Sequence, residues 1–332
     1  MVKLWAIGDA VLTLPLLRAL RNRYPEAEIA VLCHRSNRPV FEASGIALRV
    51  IEADLPNMAR QVRRYDICFD TEPYLNGSAL LSWLLSGCRV GFRNGSRWRF
   101  YDHAVEVCDT RHALEQILAM GRFIRAEGPP DPVPLSVPEE VDASVDRILR
   151  KHGIGPETRR VGICAGGGPS VLARRWPKES FREFVRRLLE EEPGTRAILV
   201  GTAEDRATHA FIRNGSPGVV DLAGECSLAE TFGLIRRMHA FVSNDTGMMH
   251  VAAAQRVPTL GIFGPSSPRL WRPYGPGNRF LWNGPEVCEH CPCNLPHRGL
   301  IPECILRGER RDVCIRSVSV EEALRAYRGM TT

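Results

Sequence analysis

Three stretches of this chain combine ionisable or hydrogen-bonding side chains with glycines that let a ligand approach the backbone. Ser243-Asn244-Asp245-Thr246-Gly247-Met248-Met249-His250 sets an acid and a hydroxyl where an apolar strand pattern gives way to a helical one. The Thr246 and Gly247 amides then open a helix, whose unpaired N–H groups and partial positive charge favour a phosphate. The competing reading is that Asp245 or Thr246 only caps the helix. His250 falls one turn further in, where a single histidine either packs or reaches a ligand. Ile7-Gly8-Asp9-Ala10-Val11 puts a Gly-Asp turn ahead of an apolar helix, and Asp9 there is either a general base or an N-cap. Gly166-Gly167-Gly168 follow a strand and precede Arg174-Arg175-Trp176-Pro177-Lys178. Glycine amides with Arg174 and Lys178 suit a pyrophosphate leaving group; a glycine turn before a solvated basic helix start is the alternative. A dinucleotide fingerprint from Gly166 would need glycine where Val171 stands, and no G-x-x-x-x-G-K-[ST] occurs, so Rossmann redox binding and P-loop chemistry are disfavoured.

Eleven cysteines provide a second kind of chemistry. Cys33, Cys68, Cys88, Cys108, Cys164 and Cys226 lie singly and read as free thiols. The rest crowd late, as Cys288-x2-Cys291-x-Cys293-x10-Cys304-x9-Cys314. A C-x2-C knuckle puts two thiolates on one side of a tight turn, and two later cysteines complete the tetrahedral shell of structural zinc or rubredoxin-like iron. Cys288, Cys291, Cys304 and Cys314 are the expected ligands, because Cys293 follows Pro292 at a poor spacing for a shared knuckle. A loop of reduced thiols is the alternative, and either reading suits a reducing compartment, the cytoplasm.

These residues must be held by elements, and the pattern is α/β. Ala10–Arg21, Val141–His152, Ser180–Glu191, Leu228–Met238 and Met249–Ala254 have helical spacing, and Ser78–Leu85 reads as a buried helix. Glu28–Cys33, Ile67–Phe69, Val161–Ala165, Ala197–Val200, Ala240–Ser243 and Thr259–Phe263 read as strands. The alternation implies parallel sheets. The Pro-rich stretch Gly128–Pro138 divides the chain into domains 1–137 and 138–332, with ligands expected beyond the carboxyl ends of the strands. With 332 residues, 44% hydrophobic and 25% charged, the chain is neither disordered nor a multi-spanning membrane protein. The longest apolar run, Ala79–Leu85, falls far short of the ~20 residues that span a bilayer. A net charge of +6 without long basic blocks argues against a nucleic-acid partner and leaves phosphorylated molecules or an anionic membrane surface.

Together, I-G-D-A-V-L-T-L-P-L-L-R-A-L, R-W-P-K-E-S-F, S-N-D-T-G-M-M-H-V-A-A-A and V-P-T-L-G-I-F-G-P-S-S-P closely resemble the ADP-heptose:lipopolysaccharide heptosyltransferases of glycosyltransferase family 9. The resemblance covers essentially the whole chain and includes Arg89-Val90-Gly91-Phe92. It implies a GT-B fold, two Rossmann-like domains with parallel sheets facing a central cleft, the first binding the acceptor and the second the sugar-nucleotide. It assigns Asp9 the role of base for the acceptor hydroxyl, Asp245 that of a donor-sugar contact, Thr246 and Gly247 the diphosphate, and Glu204 the ribose. Gly167, Gly168, Arg174, Lys178 and His250 complete the expected donor site. Arg174 stands where many relatives carry Lys, keeping the charge on a broader fork. Relatives begin with a longer β-type run, so the first strand is expected to be stunted or missing. A subset of the family carries a similar late cysteine set, with iron associated in protein-heptosylating relatives.

The function so implied is inverting transfer of heptose from ADP-heptose to a hydroxyl of an anionic acceptor, the lipopolysaccharide inner core, with peripheral inner-membrane contact and no catalytic cofactor. Heptosylation of a protein or small metabolite, and non-catalytic binding of a sugar-nucleotide, are the alternatives. Among the first-half arginines, Arg60, Arg63, Arg64, Arg89, Arg93, Arg97 and Arg99, the expected acceptor contacts are Arg60, Arg63 and Arg93. A solvated face in an arginine-biased chain is the other reading.

Overall fold

The computed structural model describes residues 1–167, 169–293 and 303–331. Gly168 lies outside the described residues. The chain separates into two compact units, Met1–Leu135 and Ser136–Thr332.

Unit 1 alternates β1 (Val2–Lys3), α1 (Ile7–Arg23), β2 (Ala30–Cys33), α2 (Arg38–Glu42), β3 (Arg49–Glu52), α3 (Leu55–Arg60), β4 (Tyr65–Phe69), α4 (Asn76–Leu85), β5 (Ser86–Arg93), β6 (His103–Glu106) and α5 (Ala113–Leu118). All strand pairs are parallel, in the orders β1-β2-β3 and β4-β5-β6. A bridge from Val2 to Asp70, just past β4, joins the two ladders into one 3-2-1-4-5-6 order. The first strand is two residues long, and both are buried. β2 is a run of four buried apolar residues, the pattern of a strand covered on both faces.

Unit 2 runs α6 (Glu139–Lys151), β7 (Arg160–Cys164), α7 (Lys178–Glu191), β8 (Arg196–Leu199), α8 (Arg206–Arg213), β9 (Val219–Asp221), α9 (Leu228–Arg236), β10 (Ala240–Asn244), α10 (Gly247–Ala254), β11 (Thr259–Ile262), α11 (Pro268–Trp271), β12 (Arg279–Leu281) and α12 (Gly284–Val287), then helices Val313–Arg316 and Val320–Thr331. Its parallel sheet is ordered β9-β8-β7-β10-β11-β12. That is the same sequence of crossovers as in unit 1. The core packs Trp176, Phe181, Phe184 and Val185 with the last helix through Leu324 and Tyr327. α7 contributes Phe181, Phe184, Val185 and Leu188, an apolar stripe at helical spacing on an otherwise charged sequence.

Two local expectations are corrected. α4 is not a buried helix: Leu80, Trp83 and Leu84 are 49%, 41% and 37% exposed. Asp9 is not the N-cap of α1, because the helix begins at Ile7 and the cap position falls to Ala6, whose φ of 59° is left-handed and whose side chain caps nothing. Asp9 sits in the first turn instead, free to point elsewhere.

Candidate active site

In an open parallel sheet, ligands gather beyond the carboxyl ends of the strands where the strand order reverses. In unit 2 that point lies between β7 and β10, and the loops that leave them carry the glycines and the D-T-G motif. Asn244, the last residue of β10, ties the loops together. Its amide donates to the carbonyls of Ala165 (2.8 Å) and Gly166 (3.0 Å), and its oxygen accepts the Trp176 amide N–H at 2.9 Å. Trp176, 1% exposed, also donates its indole N–H to Val318 O at 2.8 Å. The conspicuous R-W-P-K motif is therefore an anchor that fixes where Arg174 stands.

Arg174 reaches Asp245, with Nη1 3.5 Å from Oδ2. Asp245 is 6% exposed, and the Ser266 hydroxyl donates to the same oxygen. Thr246 occupies the N-cap position of α10 but makes no side-chain cap bond. Its hydroxyl instead meets Ser243 Oγ at 3.1 Å and Cys164 Sγ at 3.7 Å. The reading of Thr246 as a mere cap is thereby overturned. Gly167 lies beside it: a methyl placed on Gly167 would stand 3.9 Å from Thr246 Cγ2. A methyl on Gly166 would come within 2.5 Å of the Asp205 carboxylate, so the chain passes too close there for any side chain.

Asp205 closes a short turn, Ala203–Asp205, by accepting from the Thr202 amide at 2.9 Å. Glu204, beside it, is exposed on this carboxyl-end turn. The structure thus brings Gly167, Arg174, Asp245, Thr246 and Gly247 together, with Glu204 on the same edge. Lys178 opens α7 just past Trp176, its ammonium 4.4 Å from the centre of the Phe211 ring. His250 is 5% exposed within α10. Sequence reasoning missed Asn244 and Ser266, although both sit inside motifs it quoted.

In unit 1 the reversal falls between β1 and β4, and here a buried charge network surrounds Asp9. Lys3, completely buried, places its ammonium 3.3 Å from Asp9 Oδ2 and 3.2 Å from Glu72 Oε1. Burial opposes the charge on Lys3, but the attraction of Asp9 and Glu72 outweighs it and holds the pKa above the ordinary lysine value. Glu72 Oε1 also accepts the amides of Leu4 (2.6 Å) and Trp5 (2.9 Å). Asp70 is a second hub, accepting from Arg97 (2.8 Å), Tyr101 (2.6 Å) and Ser78 (2.8 Å). Burial lifts its carboxyl above the usual range despite these partners. Asp9 keeps 27% of its side chain exposed, so one face of a firmly held carboxylate stays open. Lys3 and Glu72 also escaped the sequence reading, although one of three lysines, set in an apolar strand, was a usable signal.

The expected acceptor arginines do not form one face. Arg63 precedes β4, and its amide donates to Leu84 O just before β5, so it marks the amino ends of the strands, as does Arg60 at the end of α3. Arg93 ends β5 at the opposite, carboxyl edge, paired with Glu106 at 2.9 Å and lying over the Trp98 ring. Arg97 and Arg89 are consumed internally, by Asp70 and by a two-pronged pair with Asp102.

The late cysteines partly gather. Cys288, Cys291, Cys293, Cys304 and Cys314 line one small cavity together with Asp312, whose buried Oδ1 has no hydrogen-bond partner among the described residues. The knuckle turn is present, with the Cys291 amide bonded to Cys288 O at 3.0 Å. Cys291 Sγ donates to Gly264 O at 3.2 Å, and its interaction with Cys314 holds the pKa of Cys291 down and, with burial, pushes that of Cys314 up. Among the described residues, however, no three metal-ligating side chains are grouped closely enough to enclose an ion. The expected tetrad is thus not assembled, and residues 294–302, which join Cys293 to Cys304, lie outside the described residues.

The sequence pattern of the family described as glycosyltransferase family 9 (heptosyltransferase) matches residues 57–296. The chain belongs to this family. It is a glycosyltransferase, and its fold is that of the family's GT-B members. Lipopolysaccharide heptosyltransferase 2 of Escherichia coli (strain K12) is 27% identical over 301 residues, covering 80% of this chain and 82% of that protein. The solved E. coli ADP-heptose lipopolysaccharide heptosyltransferase II superposes with a TM-score of 0.74 at 23% identity, covering 99% and 98% of the two chains. The glycosyltransferase family 9 protein of Veillonella parvula DSM 2008 gives a TM-score of 0.81 at 18% identity, over 99% and 96%.

Proposed function

We propose that this chain is an inverting heptosyltransferase that moves heptose from ADP-heptose to a hydroxyl of a lipopolysaccharide inner-core acceptor, working at the cytoplasmic face of a membrane. The observation that carries the reading is the pairing of two unlike sites at equivalent crossover points: a held, half-open carboxylate in unit 1 and a helix start that its own Thr246 does not cap, beside an arginine, in unit 2.

Unit 2 binds the donor. The α10 amides at Thr246 and Gly247, the Gly167 loop and Arg174 take the diphosphate. Asp245, oriented by Arg174 and Ser266, faces the heptose hydroxyls, and Glu204 takes the ribose. Gly168 belongs to the same loop by sequence. His250 supports α10 from within, and Lys178, at the start of α7 and over the Phe211 ring, adds positive charge. Unit 1 supplies the base. Lys3 engages Asp9 Oδ2 and leaves Oδ1 for the acceptor. The acceptor hydroxyl gives its proton to Asp9 as its oxygen attacks the anomeric carbon, and the carbon–oxygen bond to the diphosphate breaks with inversion. The negative charge that develops on ADP is met by amides and guanidinium already in place, so the step calls on no cofactor. Of the expected acceptor contacts, Arg93 stands at the carboxyl edge, where it suits an acceptor phosphate or carboxylate; Arg60 and Arg63 do not.

Cys288, Cys291, Cys304 and Cys314 would hold a structural zinc or iron. The fit rests on five thiols and a carboxylate oxygen with no hydrogen-bond partner among the described residues, all around one cavity, and four thiolates would leave no position open for substrate. The test of the whole reading is incubation of the protein with a panel of nucleotide sugars and a lipopolysaccharide-type acceptor, reading ADP or UDP release. Release of ADP from ADP-heptose that depends on the acceptor supports it; turnover only of a UDP-sugar overturns it.

A further inference from the structure

α4 carries an apolar stripe that its own core packing does not use. Its small residues Ser78, Ala79 and Ser82 are completely buried and Leu85 is 3% exposed beside them, while Leu80, Trp83 and Leu84, spaced as one helical stripe, face outward. The buried serines are satisfied. Ser78 donates to Asp70 Oδ2 at 2.8 Å, and Ser82 to Ala79 O at 2.7 Å. The core therefore explains the inward face and leaves the outward stripe without a structural purpose.

The stripe continues onto the neighbouring loop. The Arg63 amide donates to Leu84 O at 2.9 Å, fixing the segment after α3 against the end of α4, and the Arg63 guanidinium lies over the Trp83 ring at 5.6 Å. Val62 is 48% exposed and Leu55, which opens α3, is 80% exposed. Arg60 and Arg63 have no carboxylate partner among the described residues, whereas Arg64 stands 3.8 Å from Glu28. The acids nearest in sequence are Asp54, which caps α3 through the Asn57 amide, and Asp66 on β4. An apolar stripe with an indole at its edge and unpaired guanidiniums alongside has the chemistry of a membrane interface. Leucines enter the acyl boundary, tryptophan sits at headgroup level, and arginines meet lipid phosphates.

We propose that the outer face of α4, with Val62, Arg60 and Arg63, docks unit 1 onto an anionic phospholipid bilayer. The proposal deepens the function above and rests on it only in supposing that the acceptor is presented by a lipid. It also gives the two arginines that the acceptor reading misplaced a role at the amino edge of the sheet. Charge complementarity selects the bilayer over a second copy of this chain, which is itself positively charged.

The test is co-sedimentation of the full chain with phosphatidylcholine vesicles, with and without phosphatidylglycerol. Binding is expected only to the anionic vesicles. It should weaken about fivefold for each of Arg60→Gln and Arg63→Gln, the worth of one cation near a charged surface. The triple variant Leu80→Gln/Trp83→Gln/Leu84→Gln should lose vesicle binding while keeping its melting temperature and its ADP release with a water-soluble acceptor. Equal pelleting with neutral vesicles, unchanged pelleting of the triple variant, or a concentration-dependent dimer that the triple variant abolishes would each overturn the proposal. Vesicle binding without ADP-heptose turnover would overturn the proposed function and leave the docking surface standing; turnover without vesicle binding would do the reverse.

Discussion

Replacing Lys3 with Met removes the cation that two carboxylates share. At 3.3 Å from Asp9 and 3.2 Å from Glu72, each attraction is worth about 5 kcal/mol at an effective dielectric of ~20. Most of that repays the cost of burying the ammonium, so the loss follows from what stays behind: two neighbouring carboxylates without their counter-ion, a defect that costs ~3–5 kcal/mol. Asp9 keeps 27% of its side chain in water, which favours the lower end. At ~3–4 °C per kcal/mol for a unit of this size, the melting transition of unit 1 should fall by about 10 °C at neutral pH. The pH dependence gives the reasoning a sharper edge. The folded-state pKa of Lys3 lies above its ordinary 10.5, so its stabilisation is complete below that value and fades only as pH rises through the raised one. Between pH 5 and 8 the wild-type contribution is therefore constant. Calorimetric scans of both proteins at pH 8 and pH 5 test this. A fall of less than ~2 °C at either pH would refute the view that Lys3 holds Asp9 electrostatically.

Asp9→Asn keeps the shape but cannot take the proton, so turnover should fall ~10²–10⁴-fold with ADP affinity by calorimetry unchanged; a variant that keeps most of its rate would remove Asp9 from the chemistry. Gly247→Val puts a branched side chain at the start of α10 and should weaken ADP binding ~10–100-fold, the worth of one or two charge-assisted hydrogen bonds. Equal affinity would place the diphosphate elsewhere. Metal analysis of untagged protein should find near-stoichiometric zinc or iron, lost in Cys291→Ser and retained in Cys293→Ser, and a metal-free protein would leave the late cysteines as ordinary thiols.

What the sequence reveals depends on whether a residue acts through its pattern or its partner. The long helices and the apolar strands β2, β7, β8, β10 and β11 follow from periodicity, and the order of glycines, D-T-G and R-W-P-K points to unit 2 as the diphosphate-binding half. Strands such as Ser86–Arg93 and His103–Glu106 are not legible, since their polar and small residues carry no alternation and only pairing within the sheet makes them strands. α4 defeats periodicity in the opposite way: an apolar run with Ser82 inside it reads as core throughout, yet Ser78 and Ser82 are buried with Ala79 and Leu85 while Leu80, Trp83 and Leu84 stay outside. Asp9 is visible as an acid near a turn, but its partners Lys3 and Glu72 lie 6 and 63 residues away, and no local pattern joins them.

The two units use one topological device with opposite polarity. In each, a side chain at or just past the fourth strand of the order reaches across the reversal point to the loop after the first. In unit 1 that side chain is Glu72, which accepts the N–H groups of Leu4 and Trp5. The amides after β1 are thereby spent, the carboxylate adds negative charge, and an anion would find neither donor nor favourable field. In unit 2 it is Asn244, which donates to the carbonyls of Ala165 and Gly166. Carbonyls that would repel a phosphate are neutralised there, while the Thr246 side chain leaves the start of α10 uncapped. The acid-for-amide exchange at equivalent places accounts for assigning the base to one half and the diphosphate to the other. It also has a direct consequence: Asn244→Asp would direct a carboxylate at those two carbonyls, losing two hydrogen bonds and setting a negative charge beside the proposed phosphate site. Its ADP affinity should therefore fall further than that of Asn244→Ala. The reverse order would show that Asn244 serves packing alone.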